Sequence, residues 1–242
     1  MKIIHHKKPK FEAVKMTCDD LIDPKMEKYE PVKTCFSNPS ATLMLGRQGV
    51  GKTTTMINLM KKVFKKCFHN VILVMPENSL NSIPEEDNIF YKYLDRENDI
   101  YHDYTPAILE QIYDRLQETS DNDEHTILII DDFGSKMKNS DTEEILNRII
   151  VRQRHLRVST FLLLQNYFQL SKRIREVVQN LFMFNVGKSQ AQKILAEQLE
   201  LKSNDFDDFM SLYEKPHDFI LVSLKHKRYF KNMEDEIIFS NE

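Results

Sequence analysis

The chain has 242 residues, 41% of them hydrophobic and 29% charged, which is enough apolar material for one full core and excludes compositional disorder and collagen-like structure. With 34 basic against 37 acidic residues the net charge is −3, so any nucleic-acid contact must come from local patches or from weak contacts summed over an assembly. No apolar run approaches the roughly 18 residues of a membrane span, and the N-terminus lacks the apolar stretch of a signal peptide. Cys18, Cys35 and Cys67 are odd in number and scattered, which predicts neither a disulfide framework nor a zinc cluster. The composition reads as a soluble, reduced, intracellular chain.

Residues 1–39, with Pro9, Pro24, Pro31, Pro39 and mixed charge, read as an arm or a flanking strand pair, and His5-His6 within it as disordered rather than metal-binding. A boundary near Pro39 leaves 40–242 as the main domain. That domain opens on the apolar run Ala41–Leu45, followed by Gly46-Arg47-Gln48-Gly49-Val50-Gly51-Lys52-Thr53, a match to G-x-x-x-x-G-K-[ST]. Three of the chain's five glycines fall in this stretch. Met56, Ile57, Leu59, Met60 and Val63 follow at helical spacing, which completes the strand–loop–helix the motif requires. Backbone N–H groups from Gly46 to Thr54 and the helix N-terminus form a positive cradle for β- and γ-phosphates. Lys52 adds a mobile charge, and the Thr53 hydroxyl can ligate Mg²⁺. Lys61, Lys62, Lys65 and Lys66 read as the solvated face of that helix.

Val71–Met75, stopped by Pro76, is a continuous apolar run and predicts a buried parallel strand. Residues 76–104, with Glu85-Glu86-Asp87, Phe90, Tyr91 and Tyr93, predict an irregular excursion with one helix. Thr105-Pro106 supplies an N-cap and a proline at N1 for a helix whose apolar face carries Ile108, Leu109, Ile112, Tyr113 and Leu116. After a polar turn, Thr126–Ile130 runs into Asp131 and Asp132, about eighty residues beyond the phosphate loop. At the carboxyl tip of a strand, Asp131 can support Mg²⁺ and Asp132 can orient or deprotonate an attacking water.

Ser140 to Glu143 reads as a capping box opening a helix that ends in Arg152-Gln153-Arg154-His155-Leu156-Arg157. Val158–Leu164 is the next strand, with Gln165 at its tip, where an amide can sense the γ-phosphate. Leu181–Phe184 and Phe219–Leu224 are further strands, separated by helical segments around 191–199 and 206–213. Strands and helices alternate, which predicts a mostly parallel sheet flanked by helices on both faces, an α/β P-loop fold. Two basic stretches remain: the loop Gly134–Asn139, which could reach a channel, and Lys225–Lys231, which reads as an amphipathic strand.

The order of these motifs resembles the FtsK–HerA superfamily of DNA-pumping ATPases, and within it the poxvirus-type genome-packaging ATPases. Those enzymes carry Asp-Asp where other members have Asp-Glu, an Arg-His pair ahead of the glutamine strand (Arg154-His155), and an Ile-Arg in the following helix (Ile174-Arg175). Tyr229-Phe230-Lys231-Asn232 also resembles the family's ending, so the likeness spans residues 36–235. The resemblance implies a RecA/ASCE-like ATPase that binds ATP and Mg²⁺ and assembles as a homo-oligomeric ring. It would drive double-stranded DNA, held by its backbone, into a preformed capsid through capsid vertex or portal-like proteins in the cytoplasm of an infected host. Lys52, Asp131, Asp132 and Gln165 would be catalytic, with Thr53 and Asp131 on the metal. Arg175 would reach a neighbour's γ-phosphate, ahead of Arg154 and Arg157.

Rival readings fit less well. A terminase motor shares Arg-Gln near the start of its loop but adds a nuclease domain, for which the residues after Asn185 are too few. A signalling GTPase needs an Asn/Thr-Lys-x-Asp element, which is absent from the sequence. A non-hydrolysing nucleotide-dependent scaffold would have no use for Asp132 and Gln165.

Overall fold

A computed structural model describes residues 29–86, 88–90, 99–199 and 205–239. The expectations for the arm before Tyr29, including His5-His6, and for Asp87, Tyr91 and Tyr93 lie outside the described residues. In chain order the elements are α1 (Glu30–Phe36), β1 (Ala41–Leu45), α2 (Lys52–Asn58), β2 (Asn70–Val74), α3 (Glu77–Asn81), β3 (Ile100–Tyr101) and α4 (Pro106–Asp121). They continue as β4 (Thr126–Asp131), α5 (Ser140–Val151), β5 (Val158–Leu164), α6 (Lys172–Arg175), β6 (Asn180–Phe184), α7 (Lys188–Ile194), α8 (Asp205–Ser211), β7 (Phe219–Ser223), β8 (Arg228–Lys231) and β9 (Asp235–Ile237). Both α2 and α7 run on into a π-helical turn, at Leu59–Val63 and Leu195–Leu199.

The described strands form one nine-stranded sheet in the order β3-β2-β4-β5-β1-β6-β7-β8-β9. Pairing is parallel from β3 to β6 and antiparallel from β6 to β9. Alternation along each strand splits the core in two. Leu43, Leu45, Ile72, Val74, Leu128, Ile130, Leu162 and Leu164 face α4 and α5, whereas Met44, Leu73, Ile129, Phe161, Leu163, Phe182 and Phe184 face α1 and α2. Both faces are covered, which is why the central strands are continuous apolar runs in sequence.

Residues 30–36, expected within an arm or strand pair, form a helix that buries Val32, Cys35 and Phe36 against the sheet. Asn180 Nδ2 donates to the Cys35 carbonyl at 2.8 Å and ties this helix to β6. The cap of α4 is as expected, with Thr105 Oγ1 accepting from the Ile108 N–H at 3.3 Å and Pro106 at N1. The cap of α5 is corrected. Asn139, not Ser140, is the N-cap, and its side chain accepts from the N–H groups of Asp141 and Thr142. The asparagine cap moves the start one residue earlier, and Ser140 Oγ turns to Asp141 Oδ1 instead. The Lys225–Lys231 stretch divides into a turn and β8, and β9 adds an edge strand that the sequence pattern did not mark.

Candidate nucleotide site

Strand order positions the site. β5 lies between β1 and β4, and the registers Leu45 with Leu164 and Asp131 with Leu163 bring three strand tips to one level. The phosphate loop leaves β1 there, Asp132 leaves β4 and Gln165 leaves β5. These tips open into a cavity of about 850 Å³ that also takes residues from α2, α3, the 82–84 segment and His217.

The loop's shape depends on its glycines. A Cβ at Gly46 would lie 2.7 Å from Phe184 Cβ and from Val50 Cγ2, so no side chain fits where the loop crosses the β6 tip. Gly49 and Gly51 have φ of +79° and +99°, the left-handed region in which glycine is free of strain. The Gly46 N–H donates to the Leu164 carbonyl at 3.1 Å and closes the loop against β5. Lys52 Nζ bridges the carbonyls of Gly46 at 2.8 Å and Arg47 at 3.0 Å, across the mouth of the loop. Burial lowers the Lys52 pKa, opposed by the charges of Asp131 and Asp132.

Thr53 Oγ1 donates to Asp131 Oδ2 at 2.7 Å. Asp131 is buried, and that burial pushes its carboxyl up to about 6, against the pull of the Thr53 hydroxyl and the Lys52 charge. Asp132 differs in every respect. It is exposed to the cavity, its φ is +64°, and both its oxygens are used: Gln165 Nε2 donates to Oδ1 at 3.1 Å and Ser79 Oγ to Oδ2 at 3.0 Å. A left-handed backbone at a non-glycine residue costs conformational energy and clusters at functional positions. Gly134, two residues on, packs beneath the Gln169 amide, where a Cβ would overlap its atoms at 2.3–2.4 Å.

Of the residues expected to hold nucleotide, Gln48, Gly49, Gly51, Lys52, Thr53 and Thr54 line the cavity, as do Asp131, Asp132 and Gln165. Gly46 and Val50 shape the loop from behind. Arg47 is exposed and directed away, its guanidinium resting where a Cβ on Gly187 would lie 3.2 Å from Nη2.

Arg175, expected to reach a neighbour, is engaged by groups of its own chain. Its guanidinium donates to the Leu170 carbonyl at 3.0 Å, pairs with Glu197 at 3.4 Å and stacks 4.5 Å over Tyr167, leaving its side chain 10% exposed. Packing of α6 against the turn after α7 engages it within its own chain. The Gly134–Asn139 loop is anchored by fully buried Met137, while Lys136 forms a half-exposed ion pair with Asp103.

Ser79 and His217 are among the cavity residues that the sequence pattern did not mark. Ser79 comes from α3, whose only mark in sequence is Pro76 after an apolar run. His217 comes from a polar turn that carries no motif at all.

Residues 32–231 match the family described as Poxvirus A32 protein. The chain belongs to that family. This agrees with the resemblance to viral packaging ATPases of the FtsK–HerA type, and the A32-family chain is a P-loop ATPase. Its fold is shared by the genome packaging NTPase B204 of Sulfolobus turreted icosahedral virus 2 in complex with ATP-γ-S, at 16% identity and TM-score 0.56, over 80% of this chain and 96% of that one. The DNA-packaging ATPase B204 of Sulfolobus turreted icosahedral virus gives 15% identity and TM-score 0.59 over 80% and 97%. EssC (ATPases 2 and 3) from Geobacillus thermodenitrificans gives 12% and 0.53 over 76% and 37%. No curated protein matches this A32-family chain in sequence.

Proposed function

We propose that the chain uses ATP hydrolysis to move double-stranded DNA into a preformed viral capsid, working as a homo-oligomeric ring in the cytoplasm of an infected cell. The observation that carries this reading is the convergence of Lys52, Thr53, Asp131, Asp132 and Gln165 on one cavity in a chain of the A32 family. B204, a genome packaging NTPase of the same fold with a bound ATP analogue, supports it.

Thr53 Oγ1 and Asp131 Oδ2, 2.7 Å apart, are a hydroxyl and a carboxylate, the hard oxygen donors that suit Mg²⁺, and these two residues would hold it. When bound, Mg²⁺ supplies charge neutralisation on the phosphates. The loop N–H groups and Lys52 bind and orient the polyphosphate. Asp132, aimed by Gln165 and Ser79, orients the attacking water and takes its proton at a carboxylate oxygen. Gln165 links that carboxylate to the γ-phosphate end of the site.

In a ring, an arginine of a neighbouring subunit completes the γ-phosphate end, and such a group is worth about 10³–10⁵ in rate. With Arg175 engaged within its own chain, exposed Arg173 is the residue assigned to this task. Capsid vertex or portal-like proteins are the remaining partners.

The test is a triplex-displacement assay on long duplex DNA with the full chain. Wild type should displace the third strand only with ATP, and Lys52→Ala should not. DNA binding should show no sequence preference and fall steeply with salt, because phosphate contacts carry it. Absence of displacement by an ATP-hydrolysing, oligomeric wild type would remove translocation from this reading.

A further inference from the structure

The turn Lys215-Pro216-His217-Asp218 enters β7, and β7 lies on the opposite side of β1 from the acidic strand β4. The γ-phosphate end of the cavity, marked by Asp132 and Gln165, is therefore on one side of the phosphate loop. His217 flanks the loop on the other. It lines the same cavity, and a Cβ at Gly51 would lie 3.5 Å from its Nδ1. A polyphosphate laid along the loop with its terminal phosphate at Asp132 puts its nucleoside on the His217 side.

The ring's hydrogen bonding adds a second constraint. His217 Nδ1 is 3.2 Å from the Val50 carbonyl oxygen. A carbonyl only accepts, so Nδ1 carries the proton, and Nε2 of the neutral ring is an acceptor. The turn itself is firmly mounted. Buried Asp218 accepts from the N–H groups of Glu214 at 3.0 Å and Lys215 at 2.8 Å and from Asn232 Nδ2 at 2.9 Å. Asn232 Oδ1 in turn accepts from the Phe219 N–H at 3.0 Å, and Lys231 Nζ donates to Glu214 at 2.8 Å. Lys231 and Asn232, the last two residues of the Tyr229-Phe230-Lys231-Asn232 run, are thus a brace for His217.

We propose that His217 is the nucleoside contact of this site, its Nε2 accepting a hydrogen bond from an adenine amine or a ribose hydroxyl, and that Asn232 is its positioning residue. The proposal rests on the nucleotide-site reading above and not on DNA translocation.

Isothermal titration calorimetry on the full chain tests it, with ATP, GTP, 2′-deoxy-ATP, 3′-deoxy-ATP and inorganic tripolyphosphate. His217→Ala should weaken ATP roughly three- to tenfold, the worth of one neutral hydrogen bond, and leave tripolyphosphate unchanged. Tripolyphosphate binding also reports that the variant is folded. The loss should vanish for the one analogue that lacks the donor, GTP for the amine or a deoxy-ATP for the hydroxyl. His217→Gln, whose amide can donate to Val50 and still accept, should recover part of the affinity. Asn232→Ala should weaken ATP in the same direction by a smaller factor, and again spare tripolyphosphate. Equal weakening of ATP and tripolyphosphate, equal loss across all four nucleotides, or no loss at all would overturn the assignment. Failure of the triplex assay would leave this binding split measurable, so the two readings fail separately.

Discussion

Replacing Arg175 with alanine separates a structural arginine from one that acts in a neighbour's site. In the folded chain its guanidinium donates to the Leu170 carbonyl at 3.0 Å, pairs with Glu197 at 3.4 Å and stacks on Tyr167 at 4.5 Å. A hydrogen bond from a charged group contributes about 1.5–3 kcal/mol, and the stack about 0.5–2 kcal/mol, with the two not additive. Glu197 keeps Lys193 at 2.9 Å and the Tyr167 hydroxyl at 3.0 Å, so no charge is orphaned. Lys193 is also the first cause of its lowered pKa. The loss should therefore fall short of the roughly 3–5 kcal/mol for breaking a fully buried pair, at about 2–3 kcal/mol. For a chain of this size that lowers Tm by roughly 4–12 °C. Urea denaturation and a thermal scan of wild type and variant read it directly, and a mixing experiment completes the test. Arg175→Ala subunits added to Lys52→Ala subunits should show no recovered ATP turnover beyond the sum of the two. A variant as stable as wild type whose activity is rescued by mixing would refute the structural assignment and return Arg175 to a neighbour's γ-phosphate.

Asp132→Asn keeps a group that can accept from Gln165 and meet Ser79, but it removes the charge; ATP binding should persist while turnover falls about 10²–10⁴-fold, as single-turnover kinetics would show. Asn139→Ala should cost about 1 kcal/mol in urea denaturation, and Ser140→Ala much less; the reverse order would restore Ser140 as the cap of α5. Asp218 is subject to burial, which raises its pKa, but the hydrogen bonds from Asn232, Lys215 and Glu214 prevail and hold it below the ordinary carboxylate range. A depressed native pKa contributes stability above the unfolded value of about 3.9 and loses it as pH falls through the native one. Asp218→Asn should thus be less stable at neutral pH and show a shallower acid-side decline than wild type below about pH 5; parallel curves would contradict this.

The sequence by itself determined the parts of this protein whose physics is local. Gly46, Gly49 and Gly51 beside Lys52 and Thr53 identify a phosphate loop, because only glycine accepts φ of +79° and +99° without strain or fits 2.7 Å from Phe184. Continuous runs such as Ile127–Ile130 mark strands buried on both faces, and Thr105-Pro106 marks a helix start. Motif order pointed to the acidic pair and to Gln165. What the tertiary structure decided was everything that depends on which strands lie side by side. Motif order assigns the two adjacent aspartates different tasks, but only the fold shows how they differ: Asp131 is buried on Thr53 while Asp132 turns out on a left-handed backbone to meet Gln165 and Ser79. Arg175 looked like a free cation until α6 packed it on Tyr167 and Glu197. Ser79 and His217 carry no signal in sequence, because their place at the cavity comes from contacts 53 and 167 residues away along the chain. Spacing along one element encodes periodicity and caps; it does not encode which side chain arrives from across the sheet.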